Sequence, residues 1–476
     1  MNQLEHKFQL KQEPFSFMIK KSSILVIAAS IIICTYFFLK QNSVPEQLSK
    51  ISNTRAIPIP KSSTETNWQK QQTTANSPTP KKNNNNVLAT LNKRSSIDTD
   101  VSDPTIVKRL LLKKGIYLGD YLGNEDVHVD APRPKNFLTE VNKYFNMYSI
   151  PAWFNHIEVQ GPGQYDFRGP DQVADFAVAH RAKIQAHNMV WYISLPDWLK
   201  NGYFTPDQLQ VILKNHIQTV IRHYRDKYPG AINSWNIVNE SMSDSENLDP
   251  RLSYPNGLRK NLPIWNVIHK PGSTDPTDYI QLAFEWAHEA DPNVKLYWNE
   301  YNTEYKGFKM DRWFKIVKEL KDKGTPIDGV GFQTHLSLAY SHPLDELRQN
   351  MDRFAAIGLE CQVTEMDVLM SSTSIVHPPY HPTFMNSLAA NLPTVSDYQH
   401  QADLYKGVID ACINAKKCKA LILFGEWDPG SFANITWKGR NGRMMGPFYP
   451  NILDDNMKPK LAFKALVNEV NTLIPH

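Results

Sequence analysis

Eight short runs rich in apolar and β-branched residues recur between residues 101 and 476, at 115–119, 145–150, 183–191, 232–238, 295–299, 329–335, 360–365 and 420–425. Between them lie stretches with the 3.6-residue period of an amphipathic helix, at 171–180, 206–227, 279–290, 308–323, 343–357 and 398–414, and another at 459–472 closes the chain. A strand covered by helices on both faces is buried on both faces, so it reads as a continuous apolar run and not as an alternation. Strands alternating with helices predict a parallel sheet, and eight repeats predict a closed (β/α)8 TIM barrel over 101–476. The punctuation agrees. Pro206 and Pro343 stand where a first-turn proline is tolerated, and Gly358 follows a helical stretch where a carboxyl-terminal cap is expected.

Two of the eight runs carry a carboxylate where they end, in Trp235-Asn-Ile-Val-Asn-Glu240 and in Val363-Thr-Glu-Met-Asp-Val368. The polar residue at the carboxyl end of a barrel strand points into the mouth where such folds place their active sites. Glu240 fits that position on the fourth strand and Glu365 on the seventh. Splitting a glycosidic bond with retention needs one carboxyl group to protonate the leaving oxygen and a second, roughly 5 to 5.5 Å away, to attack the sugar. A lone Asn-Glu pair is ordinarily a solvated or salt-bridged surface group. Two glutamates at two strand ends are a different signal.

The rest of the composition excludes more than it suggests. Formal charge is +4 with acidic and basic residues interspersed, so there is no basic stripe to receive nucleic acid. The fifteen histidines show no close ligand spacing: His335 and His342 are seven apart, and His377 and His381 lie in a proline-rich insertion without a carboxylate partner. No catalytic metal is expected. Neither a glycine-rich phosphate loop after a strand nor a Gly-x-Ser-x-Gly is present, which leaves cofactor chemistry unsupported.

The amino end has its own organisation. Residues 22–39 are 18 positions without a charge, flanked by Lys20, Lys21 and Lys40, which is the minimum length for a membrane span. The run ends in Tyr36-Phe37-Phe38-Leu39 with no Ala-x-Ala cleavage site, so it reads as an uncleaved signal anchor, with a cleaved export signal as the competing reading. On this division 1–21 is a cytoplasmic segment, 22–39 a transmembrane anchor, 40–100 a polar linker too poor in apolar residues to fold, and 101–476 the barrel domain. The barrel domain would be held outside a membrane, or secreted.

Five segments in order carry a family resemblance: His187-Asn-Met-Val-Trp191 with Leu195-Pro-Asp-Trp198, Trp235-Asn-Ile-Val-Asn239-Glu240, Leu296-Tyr-Trp-Asn-Glu-Tyr-Asn302, Pro326-Ile-Asp-Gly-Val-Gly-Phe-Gln333-Thr-His335-Leu336, and Thr364-Glu365-Met-Asp367. Over 116–471 the chain resembles the family 10 glycoside hydrolases, the endo-β-1,4-xylanase family. The resemblance implies a retaining two-glutamate mechanism on a xylan-like polysaccharide, without cofactor. It makes Glu240 the acid/base and Glu365 the nucleophile. His335 and Asp367 then orient Glu365, Asn239 binds the 2-hydroxyl of the sugar at the cleavage point, and His187, Trp191 and Gln333 line the same subsite. Alone, each has a plainer role: His187 as a core histidine, Trp191 and Trp198 as packing, Asn239 and Gln333 as partners of backbone groups. The resemblance also implies a disulfide between Cys412 and Cys418. Cys361, in the seventh strand, reads as a buried thiol.

The departures bear on specificity. Where the family reads Pro-Glu-Asn-Glu-Met-Lys-Trp after the second strand, this chain reads Pro151-Ala-Trp-Phe-Asn-His156-Ile, so Ala152, Trp153 and His156 stand in place of three hydroxyl-binding residues. Tyr192 replaces a histidine, Asn236 an aspartate, and Phe424 and Phe432 two tryptophans. Trp153, His156 and Tyr192 are therefore expected to line a rebuilt sugar-binding wall. A different β-glycan as substrate, or a non-catalytic carbohydrate receptor on the same barrel, are the competing functions; retention of both glutamates argues against the receptor.

Overall fold

The computed structural model describes residues 103–127, 133–260, 264–370, 393–431 and 448–475. Its strands are β1 (Tyr117–Tyr121), β2 (Met147–Pro151), β3 (Lys183–Val190), β4 (Ile232–Asn239), β5 (Lys295–Glu300), β6 (Gly329–Phe332), β7 (His335–Ser337), β8 (Glu360–Leu369) and β9 (Cys418–Leu423). Every pairing between these strands is parallel. The ladder runs from β1 through β6, continues from β6 to β8 and β9, and returns from β9 to β1, so eight strand positions close into a barrel. Helices between strands include Arg168–Ala179, Pro206–Lys227, Asp278–Ala290, Phe308–Asp322, Leu344–Ala356, Val395–Asn414 and the closing Leu461–Leu473. Two of these are fixed at their start by reciprocal side-chain caps, Thr205 with Gln208 and Thr394 with Asp397. Pro343 sits one residue before its helix, at the cap. Ile106–Lys113 and Phe137–Tyr144 are helices outside the stretches that the periodicity marks.

The sixth barrel position differs from the expected single run at 329–335. Thr334 has φ of 63°, a left-handed conformation that a β-branched residue rarely adopts, and its N–H donates to the Glu304 carboxylate at 2.7 Å instead of to a ladder partner. The strand therefore breaks after Phe332 and resumes as β7, which pairs only with β8, His335 against Asp367. This extra pairing carries β8 on to Leu369. Glu365 consequently lies inside its strand and not at its end. A register slip against β9 between Val363 and Met366 is the local irregularity that such sites use to re-aim a side chain.

The layer between barrel and helices is apolar, with Leu118, Ile184, Trp235, Leu296, Val330 and Val363 fully or almost fully buried. The barrel interior is not. Ser149 Oγ donates to Gln185 Oε1 at 2.6 Å, Gln185 Nε2 to Gln362 Oε1 at 3.3 Å, and Gln362 Nε2 to Ser234 Oγ at 3.2 Å, so that β2, β3, β8 and β4 are joined across the barrel. Because each amide finds a partner, this polar layer avoids the penalty of burying unpaired groups. It forms a hydrogen-bonded floor under the mouth.

Cys412 and Cys418 are bonded, with Cα atoms 5.4 Å apart. Cys361 is a buried free thiol whose Sγ lies 3.5 Å from the Met351 carbonyl oxygen. The expected segments 1–21, 22–39 and 40–100, Phe432, His377 and His381 lie outside the described residues. Among the described residues no helix is long and apolar enough to cross a membrane.

Candidate active site

Glu365 is buried, and its two oxygens meet different partners. Asn299 Nδ2 donates to Oε1 at 2.6 Å, and His335 Nε2 stands 3.4 Å from Oε2. Behind it, His335 Nδ1 is 3.0 Å from Asp367 Oδ1, the register partner that the β7–β8 pairing supplies. Burial alone would disfavour the His335 cation, but the Asp367 and Glu365 carboxylates outweigh it and hold the imidazole well above its ordinary range. Burial likewise pushes Glu365 upward, and His187, His335 and the Asn299 hydrogen bond reverse this, so its carboxyl titrates below the usual value. Glu365 is held ionised.

Glu240 follows β4 with φ of 55°, a conformation costly for a residue with a Cβ. The turn is pinned on both sides, because Glu240 N–H donates to the Asn299 carbonyl at 3.0 Å and Arg259 Nε donates to the Glu240 carbonyl at 3.0 Å. Its carboxyl group receives two neutral donors, Trp191 Nε1 at 2.8 Å on Oε2 and Gln333 Nε2 at 3.0 Å on Oε1. Burial raises its pKa, the two hydrogen bonds partly oppose this, and the negative charge of Glu365 adds to the rise. Two carboxyl groups in one mouth are thus pushed in opposite directions.

A chain of carboxamides joins them. Asn299 Nδ2 reaches both Glu365 and, at 2.8 Å, Asn239 Oδ1, while Gln333 Nε2 reaches both Glu240 and, at 3.4 Å, that same Asn239 oxygen. With its oxygen committed twice, Asn239 keeps a buried Nδ2 that has no partner in the protein. An unpaired buried donor is costly, and a ligand hydroxyl would satisfy it. Gly331 on β6 makes room for this arrangement: a Cβ there would fall 2.2 Å from Asn299 Oδ1 and 2.8 Å from Thr364 Cγ2.

On one side the mouth is aromatic. The Trp153 ring centroid lies 5.9 Å from Trp191, 6.4 Å from His187, 4.7 Å from His156 and 6.2 Å from Tyr121, and Tyr121 is in turn 4.9 Å from Phe424. Ala152 is fully buried and offers no contact to a ligand. Tyr192 lies beside the Arg259 guanidinium, 5.2 Å from ring centroid to Cζ, with its phenol held up by burial and by the Glu240 charge. Trp198 serves packing: its Nε1 donates to the Glu158 carbonyl at 2.7 Å and its ring packs on Phe154.

Behind Glu240 the fold assembles a charged cluster in which Arg259, Asp244 and Lys309 lie outside every motif segment. Arg259, from the excursion after β4, donates to Asp244 at 2.7 Å and to the Tyr301 hydroxyl at 2.5 Å, and Lys309 donates to Asp244 at 2.9 Å and lies 3.4 Å from Glu300. Burial raises Glu300 to about 7 despite Lys309 and Arg259, whereas Asp244, opposed by burial but gripped by both cations, falls to about 2. Arg259 is separated from Glu240 by nineteen positions, and the backbone bridge between Met242 and Leu258 brings them together. Among the described residues no group of histidine, cysteine, aspartate or glutamate side chains has the arrangement of a metal site.

A parallel barrel with two oppositely tuned carboxyl groups at its carboxyl-terminal mouth defines a glycosidase class of site. Residues 107–469 match the profile of glycosyl hydrolase family 10, and the chain belongs to that family; it is an O-glycosyl hydrolase. Among curated proteins it is 33% identical over 312 residues to a β-1,4-xylanase of Dictyoglomus thermophilum, covering 64% of this chain and 76% of that one. It is 34% identical over 305 residues to endo-1,4-β-xylanase C of Phanerodontia chrysosporium, covering 64% of each. In contrast, the match to endo-1,4-β-xylanase A of Thermoanaerobacterium saccharolyticum spans only 25% of that larger protein. Among solved structures, xylanase 10B of Thermotoga maritima superposes with a TM-score of 0.62 at 26% identity, covering 77% of this chain and 98% of that one.

Proposed function

We propose that this protein is a retaining β-1,4-glycanase acting on xylan or a xylan-like polysaccharide, with Glu240 as acid/base and Glu365 as nucleophile. The observation that carries it is the pairing of opposite environments within one amide network. Glu240, its pKa raised, is poised to give a proton to the glycosidic oxygen, and Glu365, its charge held by His335, is poised to attack the anomeric carbon. Once the glycosyl–enzyme bond forms, the Glu365 charge is gone, the pKa of Glu240 drops, and the same residue takes a proton from the incoming water. Asn239 Nδ2 supplies a donor to a sugar hydroxyl beside the scissile bond. His187, Trp191 and Gln333 complete the walls of that subsite, and the xylanase relatives support the choice of polymer.

The Trp153, Tyr121 and Phe424 wall favours a refinement. Stacking surface stands where polar recognition of sugar hydroxyls is expected, and His156 adds a basic side chain beside it, so a decorated xylan or another β-glycan with an apolar face suits this side better than a plain xylo-oligomer. The test is hydrolysis of linear xylan, decorated xylan and other β-glycans, with NMR of the first-formed anomer. A β-anomer from a β-linked polymer supports retention, and an α-anomer rejects it. Linear xylan as the best substrate would reject the refined wall while leaving the glutamate roles in place.

We also infer that the protein works outside the cytoplasm, anchored through 22–39 or released. The uncharged run there and a disulfide in the barrel domain both support an oxidising destination. Protease added to intact cells is expected to release an active soluble fragment by cutting within 41–100. Full-length protein in the cytoplasmic fraction would contradict this.

A further inference from the structure

Glu240 leaves β4 in a left-handed backbone conformation, φ 55°, which a residue with a Cβ keeps only where its surroundings over-determine it. The chain then makes an excursion and returns beside its own start. Met242 bridges to Leu258 and Ser253 to Arg259, both antiparallel, and Arg259 N–H donates to the Ser241 carbonyl at 2.8 Å. From there the Arg259 side chain spans two anchor points. Its Nε donates to the Glu240 carbonyl at 3.0 Å, while its Nη2 donates to Asp244 Oδ2 at 2.7 Å and to the Tyr301 hydroxyl at 2.5 Å. The far end is itself fixed, because the Tyr301 hydroxyl donates to Asp244 Oδ2 at 2.6 Å and Lys309 Nζ to Asp244 Oδ1 at 2.9 Å.

We propose that Arg259 is a positioning residue for the acid/base, a fork that locks the backbone of Glu240 and thereby keeps its carboxyl group where Trp191 and Gln333 hold it. This rests on the reading of Glu240 as acid/base. Relaxing φ turns the Cβ and the carbonyl of Glu240 together about the N–Cα bond. The N–H end is already fixed on the Asn299 carbonyl at 3.0 Å, so the grip on the Glu240 carbonyl is what opposes that turn. Without it the side chain swings off Trp191 Nε1 and Gln333 Nε2, which it meets at 2.8 and 3.0 Å. The planar guanidinium reaches the carbonyl and Asp244 at once, which a point cation on a flexible stem does not. Its charge is balanced by Asp244, and with 11% of the side chain exposed it stands behind Glu240 and offers substrate little surface. Glu365 is held from elsewhere, by Asn299 and His335. Loss of Arg259 therefore falls on proton transfer and spares nucleophilic attack.

The test is the leaving-group dependence of kcat/KM, which reports the first displacement, in full-length Arg259→Ala and Arg259→Lys on dinitrophenyl and phenyl β-xylobiosides. Dinitrophenolate departs without a proton. Phenolate, like the sugar alkoxide of a polymer, needs one from Glu240 as the glycosidic C–O bond breaks and the bond from Glu365 to the anomeric carbon forms. In Arg259→Ala, kcat/KM should fall about a hundredfold for the phenyl glycoside, the scale of a misplaced reacting group, and less than about threefold for the dinitrophenyl one. Arg259→Lys keeps the charge and loses the fork, so it should show the same selectivity at about tenfold, and it decides the matter if Arg259→Ala does not fold. Equal losses on the two glycosides, the mark of a generally loosened barrel, would overturn the proposal, and so would no loss on either. Glu240→Ala separates this from the reading beneath it. That variant should show the selectivity in stronger form, and equal losses there would reject the acid/base assignment itself.

Discussion

The two sides of the mouth hold their carboxyl groups by different physics. Glu240 is surrounded by neutral donors, the indole of Trp191 and the amide of Gln333, while the cationic groups of Arg259 and Lys309 are engaged by Asp244 behind it. Glu365 is tied to an ion pair, His335 with Asp367, that enters only because a short extra strand extends the sheet past Glu365. Neutral hydrogen bonds soften the burial penalty without cancelling it, so Glu240 stays easy to protonate. A full counter-charge cancels it, so Glu365 stays ionised. One barrel thus holds one carboxyl group easy to protonate and another ionised through a difference in the groups behind each.

Removing either carboxyl group should break this division most severely. Glu240→Ala is expected to lose roughly 10²- to 10⁴-fold in kcat on a polymer, the usual range for one general acid–base group, and Glu365→Ala more, since the first displacement has no nucleophile. Azide should restore turnover of an activated aryl glycoside in both, with an inverted product from Glu365→Ala. Wild-type rates in either variant would end the assignment.

Stripping the ionic side alone is the next test. Asp367→Asn removes the largest influence raising His335, so the imidazole loses its charge at lower pH and Glu365 loses its cation. The pKa of Glu365 must then rise, and the acidic limb of the kcat/KM profile should move to higher pH. Activity should drop about a hundredfold, the scale of a misplaced reacting group. An unmoved limb would show that Asp367 only fills space.

On the neutral side the effect should be smaller and appear at the other end of the pH profile. Trp191→Phe deletes an N–H that favours the ionised form of Glu240, so the pKa of Glu240 should rise and the alkaline limb should extend upward. A loss of about tenfold in kcat, equivalent to one charge-assisted hydrogen bond of about 1.5 kcal/mol, is expected. A limb that moves downward would mean the indole favours the protonated acid. The smallest change is a control at the start of β9: Cys412→Ala with Cys418→Ala should cost at most about 2 kcal/mol in denaturant unfolding, because the bond closes a short loop, and should leave both limbs where they are. A shifted limb would tie that loop to the mouth.

The barrel is legible in the chain itself, because continuous apolar strands and amphipathic helices each have few ways to bury their faces, and their order forces a parallel closed sheet. Glu240 and Glu365 were legible as carboxylates at the ends of apolar runs, whereas Asn239, Gln333, His335 and Asp367 were legible only through the family resemblance. Arg259, Asp244 and Lys309 leave no comparable mark. Each is an ordinary polar residue in its local stretch, and their influence on the two carboxyl groups exists only where separate excursions of the chain converge. The break at Thr334, the extension of β8 and the place of Glu365 inside its strand were likewise decided by the tertiary structure. Strand ends are set by which backbone groups find ladder partners across the barrel, and a pKa is set by charges that arrive from distant positions in the chain; neither quantity is local, so neither is written in a local pattern.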